Sequence, residues 1–125
     1  MIVPALYLIH FIFICYLTDF KFRNGVCHSS NTLSSKTVII TGANSGIGLT
    51  TSIDIARRGA RVILACRNEY KGMEAQNIVR AASKNDNVYF KQLDLSSLAS
   101  IRSFSETILQ EEDKIHILIN NAGVY

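Results

Sequence analysis

Four short, mainly apolar runs are spread over the second and larger part of this 125-residue chain. The runs are rich in Val, Ile, Leu and aromatic residues and do not follow a strict alternation of apolar and polar positions. This pattern is typical of strands that are buried on both faces of a parallel sheet. Four strands are therefore predicted, at residues 38–40, 61–66, 88–93 and 115–119.

The segments between these runs have the apolar spacing of helices. The first helix should end near Arg58, because Gly59 stands where a helix C′ residue is expected, and Asn68 is placed to cap the second. Strands and helices that alternate with short connections predict right-handed parallel crossovers and a doubly wound α/β fold. The stripes predicted to cover the sheet are Ile47, Thr51, Ile55 and Ala56, then Ala75, Ile78, Val79 and Ala82, then Leu98, Ile101, Phe104, Ser105, Ile108 and Leu109.

The N-terminus has a different character, since residues 2–17 are apolar except for His10. A helix of this length spans about 24 Å, slightly less than the roughly 30 Å of a bilayer core. A cleaved signal peptide and a signal anchor are both open interpretations. The absence of a basic start, with Lys21 and Arg23 after the run, favours an anchor over residues 1–23 with the domain facing the cytosol. The polar, aperiodic residues 24–35 are predicted to form a linker.

Composition excludes some functions. The net charge is +3 and the basic residues are scattered, so no nucleic-acid partner is expected. The three cysteines, Cys15, Cys27 and Cys66, have no metal-ligand spacing, and no metal site is predicted. Cys66 closes an apolar run and is interpreted as a small hydrophobic residue.

A glycine-rich turn follows the first predicted strand, with the spacing G-x-x-x-G-x-G at Gly42, Gly46 and Gly48. Glycines at such a turn allow a sharp change of direction, a close approach of an anion to the main chain, and close packing of the next helix. The N–H groups at the start of that helix would point at the anion. Glycines are also common in ordinary turns, so the glycine spacing indicates an anion-binding turn only because a predicted strand precedes it and a predicted helix follows it.

Four motifs stand together in an order and spacing that resemble the short-chain dehydrogenase/reductase family. Within this family, the sequence is most similar to those of the membrane-anchored retinol dehydrogenases. The resemblance covers residues 36–125 and implies a Rossmann-type sheet in the strand order 3-2-1-4, here truncated and preceded by an apolar helix. It also implies a location in the endoplasmic reticulum membrane. The motifs are Thr41-Gly42-Ala43-Asn44-Ser45-Gly46-Ile47-Gly48, Ala65-Cys66-Arg67, Leu93-Asp94-Leu95 and Asn120-Asn121-Ala122-Gly123.

The resemblance assigns these motifs to a nicotinamide dinucleotide. The glycine turn would surround the phosphates, Asp94 and Leu95 would contact the adenine, and the last motif would pass beneath the ribose and nicotinamide side. Asn120 and Asn121 have a structural alternative, in which they tie strand four to its neighbours. The implied cofactor-binding residues are Thr41, Gly42, Asn44, Ser45, Gly46, Ile47, Gly48, Arg67, Asp94, Leu95, Asn121, Ala122 and Gly123.

The end of the second strand bears on the choice of cofactor. Enzymes that use NAD carry an Asp or Glu near this position to hold the ribose 2′-hydroxyl. This chain has Cys66-Arg67, and a guanidinium can grip a 2′-phosphate with two charge-assisted hydrogen bonds. NADP is therefore the predicted cofactor. The alternative is that Arg67 is only a solvated residue at the end of a strand.

The family's catalytic tyrosine and lysine, in the motif Tyr-x-x-x-Lys, are not found among these residues, and neither is its catalytic serine. We therefore expect the N-terminal part of an NADP-dependent oxidoreductase for retinoid or lipid alcohols and aldehydes, with no activity of its own. The alternatives are a non-catalytic nucleotide-binding or partner-binding module and an anchored remnant that binds nothing. An open edge at residues 115–119 is expected to make the isolated domain fold poorly and associate with other chains.

Overall fold

The four predicted strands pair side by side in one parallel sheet, in the order β3-β2-β1-β4. This finding confirms the strand order expected for a Rossmann-type α/β fold. The computed structural model describes Ile14 and residues 29–123. The elements are β1 (Thr37–Thr41), α1 (Gly46–Arg57), β2 (Arg61–Cys66), α2 (Glu69–Ser83), β3 (Val88–Gln92), α3 (Leu98–Glu111) and β4 (Ile117–Ile119).

The two central strands supply the core, because every residue of β1 and all but the first of β2 are buried. Val38, Ile40, Val62 and Leu64 lie in one cluster with Ala56 of α1, and Ala75 and Val79 of α2 belong to the same cluster. In the second cluster, Ile39, Ile63 and Ala65 pack with Ile108 of α3. This burial of both faces accounts for the continuous apolar runs.

Helix α1 follows its predicted stripe only in part, since Ala56 is buried and Ile55 packs against the core as predicted. Ile47 is 78% exposed, and the buried positions of the helix are Gly48, Ser52 and Ala56. These are small side chains, which let the helix axis approach the strands closely. The Ser52 hydroxyl is satisfied inside the helix, since it donates to the Gly48 carbonyl oxygen at 2.7 Å.

The other two helices follow their predicted stripes in part. In α2, Ala75 and Val79 are buried as predicted, whereas Ile78 and Ala82 are exposed, and Gly72 takes their place against the ring of Phe90. In α3, Ile108 is buried and Ile101 and Phe104 pack beside it, but Leu98, Ser105 and Leu109 are exposed. The apolar spacing alone predicts a wider contact face than these helices use.

The bounds of β3 and β4 differ slightly from prediction. Strand β4 begins at Ile117 instead of Ile115, because the backbone N–H of Thr37 donates to the Nδ1 atom of the His116 ring at 3.0 Å. The ring occupies the position that a carbonyl would take in a longer ladder, while the N–H of His116 donates to the Thr37 carbonyl oxygen at 2.9 Å. Strand β4 lies at one end of the strand order, and its Leu118 is 56% exposed.

An ion pair fixes the end of α3 to the amino edge of the sheet. Arg61 at the start of β2 donates from Nη2 to the Glu112 carboxylate at 2.7 Å, and its guanidinium lies 4.2 Å from the centroid of the Tyr89 ring. The Glu112 side chain is only 6% exposed. The hydrogen bond to Glu112 raises the pKa of Arg61 well above its ordinary value.

The chain divides into two units, Met1–Ser30 and Asn31–Tyr125. The predicted apolar helix within residues 1–23 lies outside the described residues apart from Ile14. Within the described part of the chain, none of the helices combines the length and apolarity needed to cross a bilayer. The end of the predicted linker belongs to the second unit, since Leu33 packs against the core and its N–H donates to the Arg58 carbonyl oxygen at 2.7 Å.

His116 makes the pairing of β1 with β4 sensitive to pH. Partial burial, helped by the charges of Lys36 and Lys114, lowers the pKa of His116 from its ordinary 6.5, and a protonated Nδ1 could not accept the Thr37 N–H. Because the folded state favours the neutral ring, stability should be complete above about pH 7 and should fall as the pH drops through 6.5.

We expect the melting temperature to drop more between about pH 7.5 and about pH 5.5 in the natural chain than in a His116→Asn variant. The Asn side chain offers a carbonyl oxygen at the position of Nδ1, which can accept the Thr37 N–H at every pH and carries no charge. Thermal denaturation followed by circular dichroism measures both profiles. Parallel profiles for the two proteins would contradict the assignment of this pH dependence to His116.

Candidate functional site

The predicted site residues follow the carboxyl ends of the four strands, and in a parallel sheet these ends lie at one edge. Two backbone bonds continue the ladder past the strands. The N–H of Gly42 donates to the Ala65 carbonyl oxygen at 2.8 Å, and the N–H of Leu93 donates to the Cys66 carbonyl oxygen at 3.0 Å. The segments that leave β1, β2 and β3 therefore stay side by side. Ligands of open α/β sheets bind in the crevice at this edge.

The glycine turn has the local geometry that the spacing predicts. Gly42 and Gly46 have φ angles of 64° and 54°, in the left-handed region that favours glycine. A Cβ atom at Gly46 would meet no described atom within 4 Å, so the main chain here is open to a ligand. A Cβ atom at Gly48 would collide with the carbonyl oxygen of Gly42 and would lie 2.5 Å from Nδ2 of Asn121.

Helix α1 begins directly at this open turn. The first helical bond runs from the N–H of Leu49 to the Ser45 carbonyl oxygen at 3.2 Å, so the N–H groups of the first turn have no acceptor inside the helix. The Ser45 side chain makes no capping bond among the described residues, although Ser is a common cap. The positive end of the helix is thus free to face an anion.

A network of hydrogen bonds ties the end of β1 to the segment after β4. The Thr41 hydroxyl oxygen accepts the N–H groups of Asn121 and Ala122, each at 3.0 Å, and the hydroxyl lies 3.5 Å from the Ile119 carbonyl oxygen. The Asn121 amide donates from Nδ2 to the carbonyl oxygens of Thr41 and Gly42 at 3.0 and 3.3 Å. We call this network the Thr41–Asn121 clasp. The side chain of Asn121 therefore has the structural role that its sequence position left open.

Arg67 and Asp94 lie at the ends of β2 and β3. Arg67 is exposed, and its carbonyl oxygen accepts a bond from Nε2 of Gln92 at 3.1 Å. The Asp94 carboxylate accepts the hydroxyl and the N–H of Ser96 at 2.7 and 3.0 Å. These two bonds lower the pKa of Asp94, and the charge of Arg67 adds to the effect, so the carboxylate is ionised at neutral pH.

The remaining predicted residues lie along the same edge. Leu95 is 51% exposed, Asn44 is half-buried, and Gly123 is exposed at the end of the described chain. Cys66 is buried, and burial raises the pKa of its thiol, which fits its interpretation as a small hydrophobic residue. Sequence reasoning missed Gln92 and Ser96. The only available signal was that both residues stand two positions from Asp94.

These groups fit a dinucleotide. The open main chain at Gly46 and the unfilled first turn of α1 suit a pyrophosphate, and an exposed guanidinium with a nearby carboxylate suits an adenosine ribose and its base. Within the described residues no group of His, Cys, Asp and Glu side chains could hold a metal ion.

Comparisons with known proteins agree with this geometry. The family model described as short chain dehydrogenase matches residues 36–125. The chain is 51% identical over 118 residues to "Retinol dehydrogenase 12" of Mus musculus, a match that covers 91% of this chain and 37% of the relative. It thus spans well under half the length of the curated relatives that it matches.

Solved structures have the same fold. The menthone neomenthol reductase from Mentha piperita superimposes with a TM-score of 0.67 at 35% identity, over 71% of this chain and 32% of that one. The L-sorbose reductase from Gluconobacter frateurii, complexed with NADPH and L-sorbose, gives a TM-score of 0.69 at 27% identity, over 77% of this chain and 36% of that one. On its four motifs, its strand order and its match over residues 36–125, the chain belongs to the short-chain dehydrogenase/reductase family of oxidoreductases.

Proposed function

We propose that these residues form the cofactor-binding part of an NADP-dependent oxidoreductase that acts on a retinoid or lipid alcohol or aldehyde. The observation that carries the choice of cofactor is Arg67, an exposed guanidinium at the position where a carboxylate would select NAD. Asp94 is the nearby acidic group, and its carboxylate is already engaged by Ser96. A 2′-phosphate at this edge would therefore meet a cation that no carboxylate neutralises by direct contact within the described chain.

The glycine turn would hold the pyrophosphate. The N–H groups of Gly46, Ile47 and Gly48 stand at the positive end of α1, and Thr41, Gly42, Asn44 and Ser45 complete the turn around them. Asp94 and the main chain of Leu95 would contact the adenine, while Asn121, Ala122 and Gly123 would lie beneath the ribose and nicotinamide. A nicotinamide dinucleotide held by these residues would be the source or the acceptor of the hydride.

The retinoid or lipid substrate is proposed from the relatives, several of which are named retinol dehydrogenase. Reduction of a carbonyl also needs a proton donor at the substrate oxygen, and the family's Tyr-x-x-x-Lys is not found in the 125 residues. A nucleotide-binding module without turnover is the second candidate. Reduction of retinal with NADPH by the intact protein carrying this sequence would exclude the second candidate.

Residues 1–23 are proposed to anchor the protein in the endoplasmic reticulum membrane, with residues 36–125 in the cytosol. Support comes from the apolar run with Lys21 and Arg23 on its far side. The edge of β4 is proposed as a place where the isolated domain associates with another chain, because β4 lies at one end of the sheet formed by the described strands.

Replacing Arg67 by Asp should exchange the cofactor preference. Loss of a charge-assisted bond to a phosphate costs about 1.5–3 kcal/mol, so NADPH affinity should fall roughly 10- to 150-fold, and NADH affinity should rise or stay constant. Fluorescence titration of both cofactors against the intact protein measures the two dissociation constants. Arg102→Asp, at an exposed residue of α3, is the matched control for net charge. An unchanged ratio of the two constants would remove Arg67 from this role.

Replacing Thr41 by Val should weaken the binding of NADPH and of NADH to the same extent. The substitution keeps the shape of the side chain but leaves the N–H groups of Asn121 and Ala122 without their acceptor, at a cost of about 1–3 kcal/mol in unfolding free energy. Thr41→Ser retains the hydroxyl and is the matched control. Urea denaturation and cofactor titration test both variants. A Thr41→Val protein as stable as Thr41→Ser would show that the clasp contributes little.

The membrane proposal predicts that protease added to intact microsomes digests residues 36–125. A domain on the cytosolic face is accessible, and an anchor within residues 1–23 keeps the cleaved N-terminus with the membrane pellet. Immunoblotting against both ends of the protein reads the result. Full protection of the domain, or an N-terminus shortened after import, would instead indicate a lumenal protein with a cleaved signal peptide.

A further inference from the structure

Gln92 connects the end of β3 to the residue that is proposed to select the cofactor. It is the last residue of β3 and lies in register with Cys66, the last residue of β2. Its side chain extends past this pair, and its Nε2 atom donates to the carbonyl oxygen of Arg67 at 3.1 Å. The bond joins residues that are 25 positions apart in the sequence, so it is a tertiary contact between two segments of the carboxyl edge.

The peptide of Arg67 needs such a contact because the regular ladder ends just before it. The last backbone bond between the two strands uses the carbonyl oxygen of Cys66, which accepts the N–H of Leu93 at 3.0 Å. One residue after Arg67, the Asn68 side chain accepts the N–H of Lys71 at 2.9 Å and caps α2. Arg67 lies between these two fixed points, and the hydrogen bond from Gln92 fixes its carbonyl group.

From this geometry we infer that Gln92 is a positioning residue for cofactor selection, acting through the main chain of Arg67. The inference rests on the proposed function of Arg67. A long, exposed arginine side chain loses conformational freedom when it grips a phosphate, and a fixed main chain reduces that loss. The effect of Gln92 should therefore be larger for the phosphorylated cofactor, since only a 2′-phosphate offers the guanidinium an ionic, charge-assisted bond.

The amide of Gln92 is also neutral, so it adds no negative charge beside the Arg67 guanidinium. A carboxylate there could not donate to the Arg67 carbonyl oxygen, and it would compete with a 2′-phosphate for the guanidinium. The adjacent cation cannot compensate, because Nζ of Lys91 is paired with the Glu111 carboxylate at 2.6 Å. Asp94 already places one ionised carboxylate near Arg67, and the charge of Arg67 is one of the causes that lower the pKa of Asp94.

The test uses two substitutions at Gln92 in the intact protein. Gln92→Met keeps the length of the side chain and removes the hydrogen bond, and Gln92→Glu keeps the shape and adds a negative charge. Fluorescence titration gives the dissociation constants of NADPH and NADH for each protein. Gln110→Glu, at an exposed glutamine of α3, is the matched control for the added charge. Thermal denaturation of every variant reports any loss of folding separately.

We expect Gln92→Met to raise the dissociation constant of NADPH about 3- to 10-fold and that of NADH by less than about twofold. A change of this size is what the loss of one hydrogen bond produces. Gln92→Glu should weaken NADPH more than Gln92→Met does, and Gln110→Glu should change neither constant. In the Arg67→Asp background, Gln92→Met should no longer change the ratio of the two constants, because the two residues act as one unit.

Equal weakening of both cofactors in Gln92→Met, or no change in either, would overturn the inference while leaving the role of Arg67 intact. An additive effect of Gln92→Met in the Arg67→Asp background would also overturn it, since Gln92 would then act without Arg67. If Arg67→Asp itself leaves the ratio unchanged, the proposed cofactor preference fails, and the positioning role of Gln92 fails with it.

Discussion

The Thr41–Asn121 clasp is the contact on which the candidate site depends, because it joins two chain segments that are 80 residues apart. Strand β4 has only three residues and pairs with β1 alone among the described strands. Three residues of ladder give little resistance to a shift in register. The side chains of Thr41 and Asn121 add four bonds just past the ladder, and these bonds determine where the segment after β4 leaves the sheet.

The clasp also accounts for the spacing of the glycines. Because Nδ2 of Asn121 donates to the carbonyl oxygens of Thr41 and Gly42, the amide lies in the angle between the turn and helix α1. A Cβ atom at Gly48 would enter that volume, and one at Gly42 would stand 2.9 Å from Cα of Ala122. Two of the three glycines therefore make room for the segment after β4, whereas Gly46 leaves room for a ligand. The turn and the last motif are one structure, although they are far apart in the chain.

The sequence predicted the sheet more accurately than the faces of its helices. Short, uninterrupted apolar runs bounded by polar turns are typical of buried parallel strands, so β1 and β2 were located to within a residue or two. Helix α1 buries Gly48 and Ser52 beside the predicted Ala56, and hydropathy does not distinguish Gly48 and Ser52 from solvent-facing residues. A helix that packs close to a sheet needs small side chains at the contact, whereas a search for apolar spacing selects large ones. Ile47 was therefore predicted to cover the sheet, although it is exposed. Contacts such as Nε2 of Gln92 with Arg67, or Nδ2 of Asn85 with the carbonyl oxygens of Ala56 and Ala60, follow from tertiary structure and have no local pattern.

The charges at the two edges of the sheet differ in how they are satisfied. At the amino edge, Arg61 is held by Glu112 and by the ring of Tyr89, and Arg80 donates to the Val88 carbonyl oxygen at 2.6 Å. A guanidinium held in this way would have to break existing bonds before it could bind an anion. At the carboxyl edge, Arg67 forms no ion pair with any described residue, and the Asp94 carboxylate is directed to Ser96. The fold thus uses the guanidinium groups of Arg61 and Arg80 for internal contacts. It leaves the positive charge of Arg67 available at the edge where the open turn and the start of α1 already favour a phosphate.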